Sequence, residues 1–202
     1  MKLVLATRNP GKVRELKELF KDIDIELVTV DELEVIPEVI EDGKSFRENA
    51  LKKAKVVADS TGEFAIADDS GLEVEYLNGR PGIYSSRYAR EGAADKENNE
   101  KLLSEMEGVC SSGRVASFCC VIALIGHGVE KTFEGRCCGS IAFEPKGEKG
   151  FGYDPIFYIP SINQTMAELD PEKKNSISHR AKAFDSLKKW LKEHIDEITS
   201  VN

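Results

Sequence analysis

Between Lys2 and Phe20 the sequence KLVLATRNPGKVRELKELF changes its hydrophobic period. KLVLA is a short apolar run, Thr7, Asn9, Pro10 and Gly11 break the chain, and from Val13 the apolar residues Leu16, Leu19 and Phe20 recur at helical spacing. Strand, tight loop and helix in that order require a fold that lays helices against a sheet.

Downstream, IELVTV reads as a second strand and the acidic stretch from Asp31 to Lys44 as an irregular connection. SFRE carries a capping-box pattern, Ser45 at the cap and Glu48 three residues on, which predicts a helix running to about Gly62. FAIADD has the pattern of a buried strand that stops on two acids, LEVEYL alternates as a half-exposed strand, and NGRPG forces a turn. A third helix is expected from Asp95, carrying Leu102, Leu103 and Met106. RVASFCCVIALI, VEKTFEGR and CCGSIAFE are expected as successive strands of an antiparallel meander. The last helix, from about Ser178, should bury Ala181, Phe184, Leu187, Leu191 and Ile195. Early alternation followed by clustered strands predicts an α/β fold, a mixed sheet flanked by helices. With no linker or repeat, residues 1–202 are expected to form a single domain, two lobes sharing one sheet.

The 28 basic and 36 acidic residues leave a net charge of -8, which excludes a nucleic-acid-coating or polybasic membrane-binding surface. A polyanionic partner must be small and met locally. No apolar run approaches the roughly 20 residues that span a bilayer, and KLVLA is too short for a signal-peptide core, so a cytoplasmic location is expected. Cys110, Cys119, Cys120, Cys137 and Cys138 contain no CxxC spacing and read as buried structural thiols.

The helix after TRNPGK begins with Lys12 and Arg14, cations at the end of a helix that favours anions. A phosphate held by loop amides, Thr7, Asn9 and Lys12 would resolve the conflict, although the spacing is not a Walker loop and an ordinary turn competes. His179 and Arg180 repeat the pattern at the start of the last helix, with Lys174 just upstream. Lys52 and Lys53 lie about 100° apart on their helix, so at most one of them faces a cleft. Asp68 and Asp69 close a strand, where successive residues point to opposite faces, and strand-end carboxylates suit Mg²⁺; an Asp-Ser-Gly turn is the competing reading. Glu38 and Glu41 are candidates for a further metal ligand. In GFGYDPIFYIP, Gly150 and Gly152 permit close approach, Phe151 or Tyr153 can stack on a flat ring, and Asp154 can accept from ring N–H groups; aromatic core packing competes here.

Taken in order, ATRNPGK, SFRENALKKA, IADDSGLEV, GRPGIYSSRYA, GFGYDPIF and KNSISHRAKA resemble the inosine triphosphate pyrophosphatase (Ham1-like) family from Leu3 to about Leu187. The resemblance implies an elongated fold, a long mixed central sheet flanked by helices, with the active-site cleft between two lobes. It implies Mg²⁺-dependent hydrolysis of XTP, ITP and dITP to the monophosphate and pyrophosphate by a homodimer. Thr7, Arg8, Asn9, Pro10, Gly11 and Lys12 match its triphosphate loop, and Lys53 a lysine near the phosphates. Asp69 matches its proton acceptor and metal ligand, with Ser70 beside it on substrate. Phe151, Gly152, Tyr153, Asp154, Lys174, His179 and Arg180 match positions that hold the nucleotide. Relatives with two adjacent acids align them with Ile40 and Glu41, others use a glutamate after proline as Glu38 stands here; Glu41 is preferred as the second metal ligand. A Maf-like pyrophosphatase of other specificity and a non-catalytic nucleotide-binding module are the alternatives.

Overall fold

The computed structural model describes residues 2–33, 36, 37 and 39–199, with side chains to residue 194. Strand β1 (Lys2–Leu5) leads into helix α1 (Pro10–Phe20), and β2 (Glu26–Thr29) follows. Asn9 caps α1: its side-chain oxygen accepts from the amides of Gly11 and Lys12, and Pro10 occupies the first turn, where its missing N–H costs nothing. Helix α2 (Phe46–Thr61) starts as expected, Ser45 Oγ accepting the Glu48 amide at 3.2 Å. Its Glu48 carboxylate reaches back to the amide of Lys44 rather than of Ser45, at 2.8 Å. Gly62 ends it at φ +71°, a conformation other residues adopt only at a cost.

The strand reading needs two corrections. Strand β3 (Phe64–Val74) passes unbroken through Asp68-Asp69-Ser70-Gly71, where a stop was expected, and Glu75–Leu77 is a 3-10 turn rather than strand. Strands β4 (Val115–Gly126) and β5 (Val129–Ile141) form one long hairpin about a two-residue turn, with β5 joining what read as two strands. Helix α3 (Asp95–Glu105) starts as predicted and carries Leu102 and Leu103, with Met106 capping its end. Strands β6 (Phe157–Ile159) and β7 (Gln164–Thr165) precede helix α4 (Pro171–Ile177), which the sequence pattern did not announce, and helix α5 (His179–Thr199). The sheet is mixed, ordered β2-β1-β3-β4-β5-β6-β7, parallel from β2 through β1 to β3 and antiparallel from β5 to β7.

The chain divides into two compact units. The first comprises Met1–Asp69, Cys120–Gly135 and Arg180–Asn202. Leu3, Leu5, Phe64, Ile66, Cys120, Ile122 and Leu124 pack there against Leu16 and Phe20 of α1 and Phe184, Leu187 and Leu191 of α5. The alternate residues Val4, Ala65 and Ala67 are equally buried, on the opposite face, as the two-residue period of a strand requires. Ala181 is buried too, whereas the Ile195 side chain lies outside the described residues.

The second unit comprises Ser70–Cys119 and Arg136–His179. Its core joins Leu72, Leu102, Met106, Phe118, Ile141, Ile156, Phe157 and Met166. Buried Arg114 reaches backbone rather than a carboxylate among the described residues, donating to the carbonyls of Ile141, Met106 and Ala142 at 2.7–2.8 Å. The cysteine expectation holds for Cys119, Cys120 and Cys137, but Cys110 and Cys138 are exposed. Burial pushes the Cys119 and Cys120 thiols up to about 12, the Glu73 carboxylate adding to it at Cys119.

Candidate active site

In the first unit the alternation of β3 sends two neighbouring carboxylates to opposite faces of the sheet. Asp68 turns toward α1 and α5: Lys12 Nζ lies 3.1 Å and Arg180 Nη2 3.0 Å from its Oδ2, and Arg180 also pairs with Glu15. Burial alone would push Asp68 up, but Lys12, Arg180 and Lys53 outweigh it and hold the group well below the usual aspartate range. The charge conflict at the start of α1 is thus answered within the protein, since Asp68 supplies the anion that Lys12 needs. The loop amides are also engaged, those of Gly11 and Lys12 by Asn9 at 2.9 and 3.1 Å and that of Asn9 by Thr7 Oγ1 at 3.2 Å. Arg8 is exposed, beside Asp31 at 3.3 Å.

Asp69 turns toward α2. Lys53 Nζ donates to its Oδ1 at 2.8 Å and Asn49 Nδ2 to its Oδ2 at 3.3 Å. Lys53 also meets Glu41 Oε1 at 3.1 Å, so one ammonium joins the two acids expected to hold a metal. Burial pushes Asp69 up, against the pull of Lys53 and Lys12. Lys53 is held protonated, the carboxylates of Asp69, Glu41 and Asp68 overcoming the effect of burial. Lys52, one position away, sits on the exposed side with Asp42, so only one lysine of the pair turns inward. Glu38 lies outside the described residues.

Two hard oxygens converging on a cation fit Mg²⁺, which takes few protein ligands and keeps waters and substrate oxygens for the rest. Among the described residues no group of three or more His, Cys, Asp or Glu gathers, so a site closed by protein ligands alone is not built.

Ser70, partly exposed, opens the second unit. There the aromatic loop folds on Asp154, whose Oδ2 accepts from the Phe151 amide at 2.9 Å and from Lys174 Nζ at 2.6 Å. Lys174 also lies 4.9 Å from the centre of the Phe151 ring. A Cβ on Gly150 would fall 2.0 Å from the Asp154 carboxylate, so a side chain there would prevent this closure. Tyr153 is buried, its hydroxyl on the Ser85 carbonyl at 2.8 Å, and the His179 ring stacks on Phe118 at 4.7 Å.

Sequence reasoning missed Glu15 and Asn49. Helical spacing signals both: Glu15 is three residues from Lys12, and Asn49 four from Lys53, hence on the same helix faces.

Comparison with known proteins decides the lineage. Residues 3–190 match the Ham1 family. The chain belongs to that family. Among Ham1 relatives, the dITP/XTP pyrophosphatase of Desulforamulus reducens is 57% identical over 91% of this chain and 92% of its own length. That of Vibrio parahaemolyticus is 52% identical over 92% of this chain and 94% of its own. The solved HAM1 protein of Coxiella burnetii superposes with a TM-score of 0.88 at 45% identity, covering 96% of this chain and 99% of that one. The Staphylococcus aureus Ham1 protein gives 0.87 at 43% identity, over 96% and 100%. The fold class read from the sequence, a mixed sheet with flanking helices, is that of these Ham1 structures.

Proposed function

We propose that this chain is a Mg²⁺-dependent nucleoside-triphosphate pyrophosphatase that hydrolyses dITP, XTP and ITP to the monophosphate and pyrophosphate, as a cytoplasmic homodimer. The relatives' activity supports the reaction, and one observation carries the site assignment: Asp69, a buried carboxylate raised above its usual range, stands beside Lys53 and Glu41. Among the described residues no helix is long and apolar enough to cross a membrane.

Asp69 orients and deprotonates a water for attack on the α-phosphorus, a task suited to a carboxylate whose proton affinity has been lifted. Asp68, locked as an anion, keeps Lys12 and Arg180 in place and does not compete for that proton. Glu41 and Asp69 would hold Mg²⁺, which neutralises charge on the phosphate oxygens. Lys53 and Lys12 carry the charge that develops on the leaving pyrophosphate, with Thr7, Arg8, Asn9, Pro10 and Gly11 lining the triphosphate loop. Ser70 touches substrate beside Asp69, and Phe151 to Asp154, Lys174, His179 and Arg180 meet the nucleotide around its base. A donor facing the 6-oxo group would discriminate against adenine, whose amino group leaves it unpaired.

Pyrophosphate release from dITP, XTP, ITP, ATP and GTP with Mg²⁺ tests the reading. Fast turnover of the first three is expected, and Asp69→Asn should lower kcat by about 10²–10⁴-fold while leaving the circular-dichroism spectrum intact. Binding of nucleotide without release of pyrophosphate would favour a sensing module instead.

A further inference from the structure

Gly152, in the middle of the aromatic loop, is gripped from both sides by one helix. Its N–H donates to Asp95 Oδ2 at 2.6 Å, and its carbonyl accepts from Asn99 Nδ2 at 3.1 Å. Asp95 and Asn99 stand four residues apart on α3, so one face of that helix presents an acceptor and a donor in register with the two polar groups of a single residue.

The grip is not explained by the needs of α3. The orphan amide before the helix, that of Ala94, donates to Glu97 Oε2 at 2.8 Å, which leaves the Asp95 carboxylate to the loop although Asp95 sits in the first turn. Asp95 is exposed, so core packing does not require it either. Asn99, by contrast, is buried, and among the described residues its Oδ1 accepts no hydrogen bond, so burying its amide is offset only through the Gly152 carbonyl.

The segment GRPGIYSSRYA, which the proposed chemistry leaves without a task, supports the same loop from behind. The Ser85 carbonyl takes the Tyr153 hydroxyl, while Ser85 Oγ donates to the Gly82 carbonyl at 2.6 Å and accepts the Leu72 amide at 2.9 Å. Asn98 ties α3 to that segment, accepting from the Ala89 amide at 2.8 Å and donating to the Ser86 carbonyl at 3.2 Å. Residues 151–154 are therefore fixed at Gly152 by α3, at Tyr153 by Ser85 and at Asp154 by Lys174.

We propose that Asp95 and Asn99 are positioning residues for nucleotide binding: through the two polar groups of Gly152 they hold Phe151 and Tyr153 in the pose that receives the base. This rests on the reading above that the loop meets the base. A loop fixed before ligand arrives pays its ordering entropy in advance, so the effect falls on affinity rather than on the chemical step.

The test uses the full-length protein with dITP and Mg²⁺, and ITP affinity by calorimetry. Asp95→Ala should raise KM for dITP about tenfold, leave kcat within about threefold, and speed amide exchange in the peptide containing Gly152. Asp95→Asn, which keeps an oxygen acceptor, should restore KM to within about threefold of wild type. Asn99→Asp sets an acceptor against the Gly152 carbonyl and should act like Asp95→Ala. The proposal is overturned if Asp95→Ala exchanges faster at Gly152 with KM unchanged, if kcat falls in place of a KM rise, or if Asp95→Asn is as impaired as Asp95→Ala. Failure of wild type to release pyrophosphate refutes the functional reading alone, the ITP titration of the same variants then deciding the role of Asp95. Absence of both hydrolysis and ITP binding sinks the two together.

Discussion

At Asp68 a fully buried carboxylate is stabilised by the cations around it, so its contribution to folding can be read through pH. In the unfolded chain it titrates near the ordinary aspartate value of 3.8, and in the folded chain well below that. Between those limits the unfolded state binds the extra proton, so stability rises with pH across the window. The contribution is complete above about pH 4 and is lost as acid is added below it. Asp68→Asn leaves Lys12 and Arg180 without their shared anion and should cost about 3 kcal/mol at pH 7, as breaking a buried pair does. Urea melts at pH 7 and pH 3 check this: the gap between wild type and variant should narrow at the lower pH. The acids themselves were legible in the sequence, because two carboxylates at the end of an apolar run are conspicuous. Their partners were not. Arg180 and Asp68 are separated by 112 residues, and no local pattern announces that pairing.

Elements were most legible where one residue dictates the backbone. Ser45 and Gly62 bracket α2 as the cap and the left-handed stop that a sequence pattern can announce. Ser45→Ala should lower stability by about 1 kcal/mol through the lost cap, and Gly62→Ala by about 1 kcal/mol through the left-handed backbone it retains. Denaturant midpoints measured at constant slope would check both. Legibility failed where tertiary partners override local preference. Asp, Ser and Gly favour a turn, yet β3 runs through them because Lys12, Arg180, Lys53 and Asn49 satisfy the two carboxylates in an extended strand. Helix α4 escaped notice because PEKKNSI is short and polar, and only Lys174 of it is buried.

Across the whole molecule, the sequence pattern conveyed the fold class but not the interleaving. Each compact unit is assembled from separate stretches of chain, and β3, β4 and β5 each contribute residues to both. Composition was equally mute about where charge resides. A net charge of -8 counts every residue alike, while Lys53, Arg114, Lys174 and Arg180 are buried among acids or carbonyls. The position of Lys53 between Glu41 and Asp69 has a consequence for handling the protein. A side chain already meets both acids, so on the proposed reading a chelator should silence turnover while lowering the melting temperature by only a few degrees, about the stabilisation that bound magnesium adds by mass action. The ammonium of Lys53 sits between the two acids as a placeholder ion tethered by four methylenes.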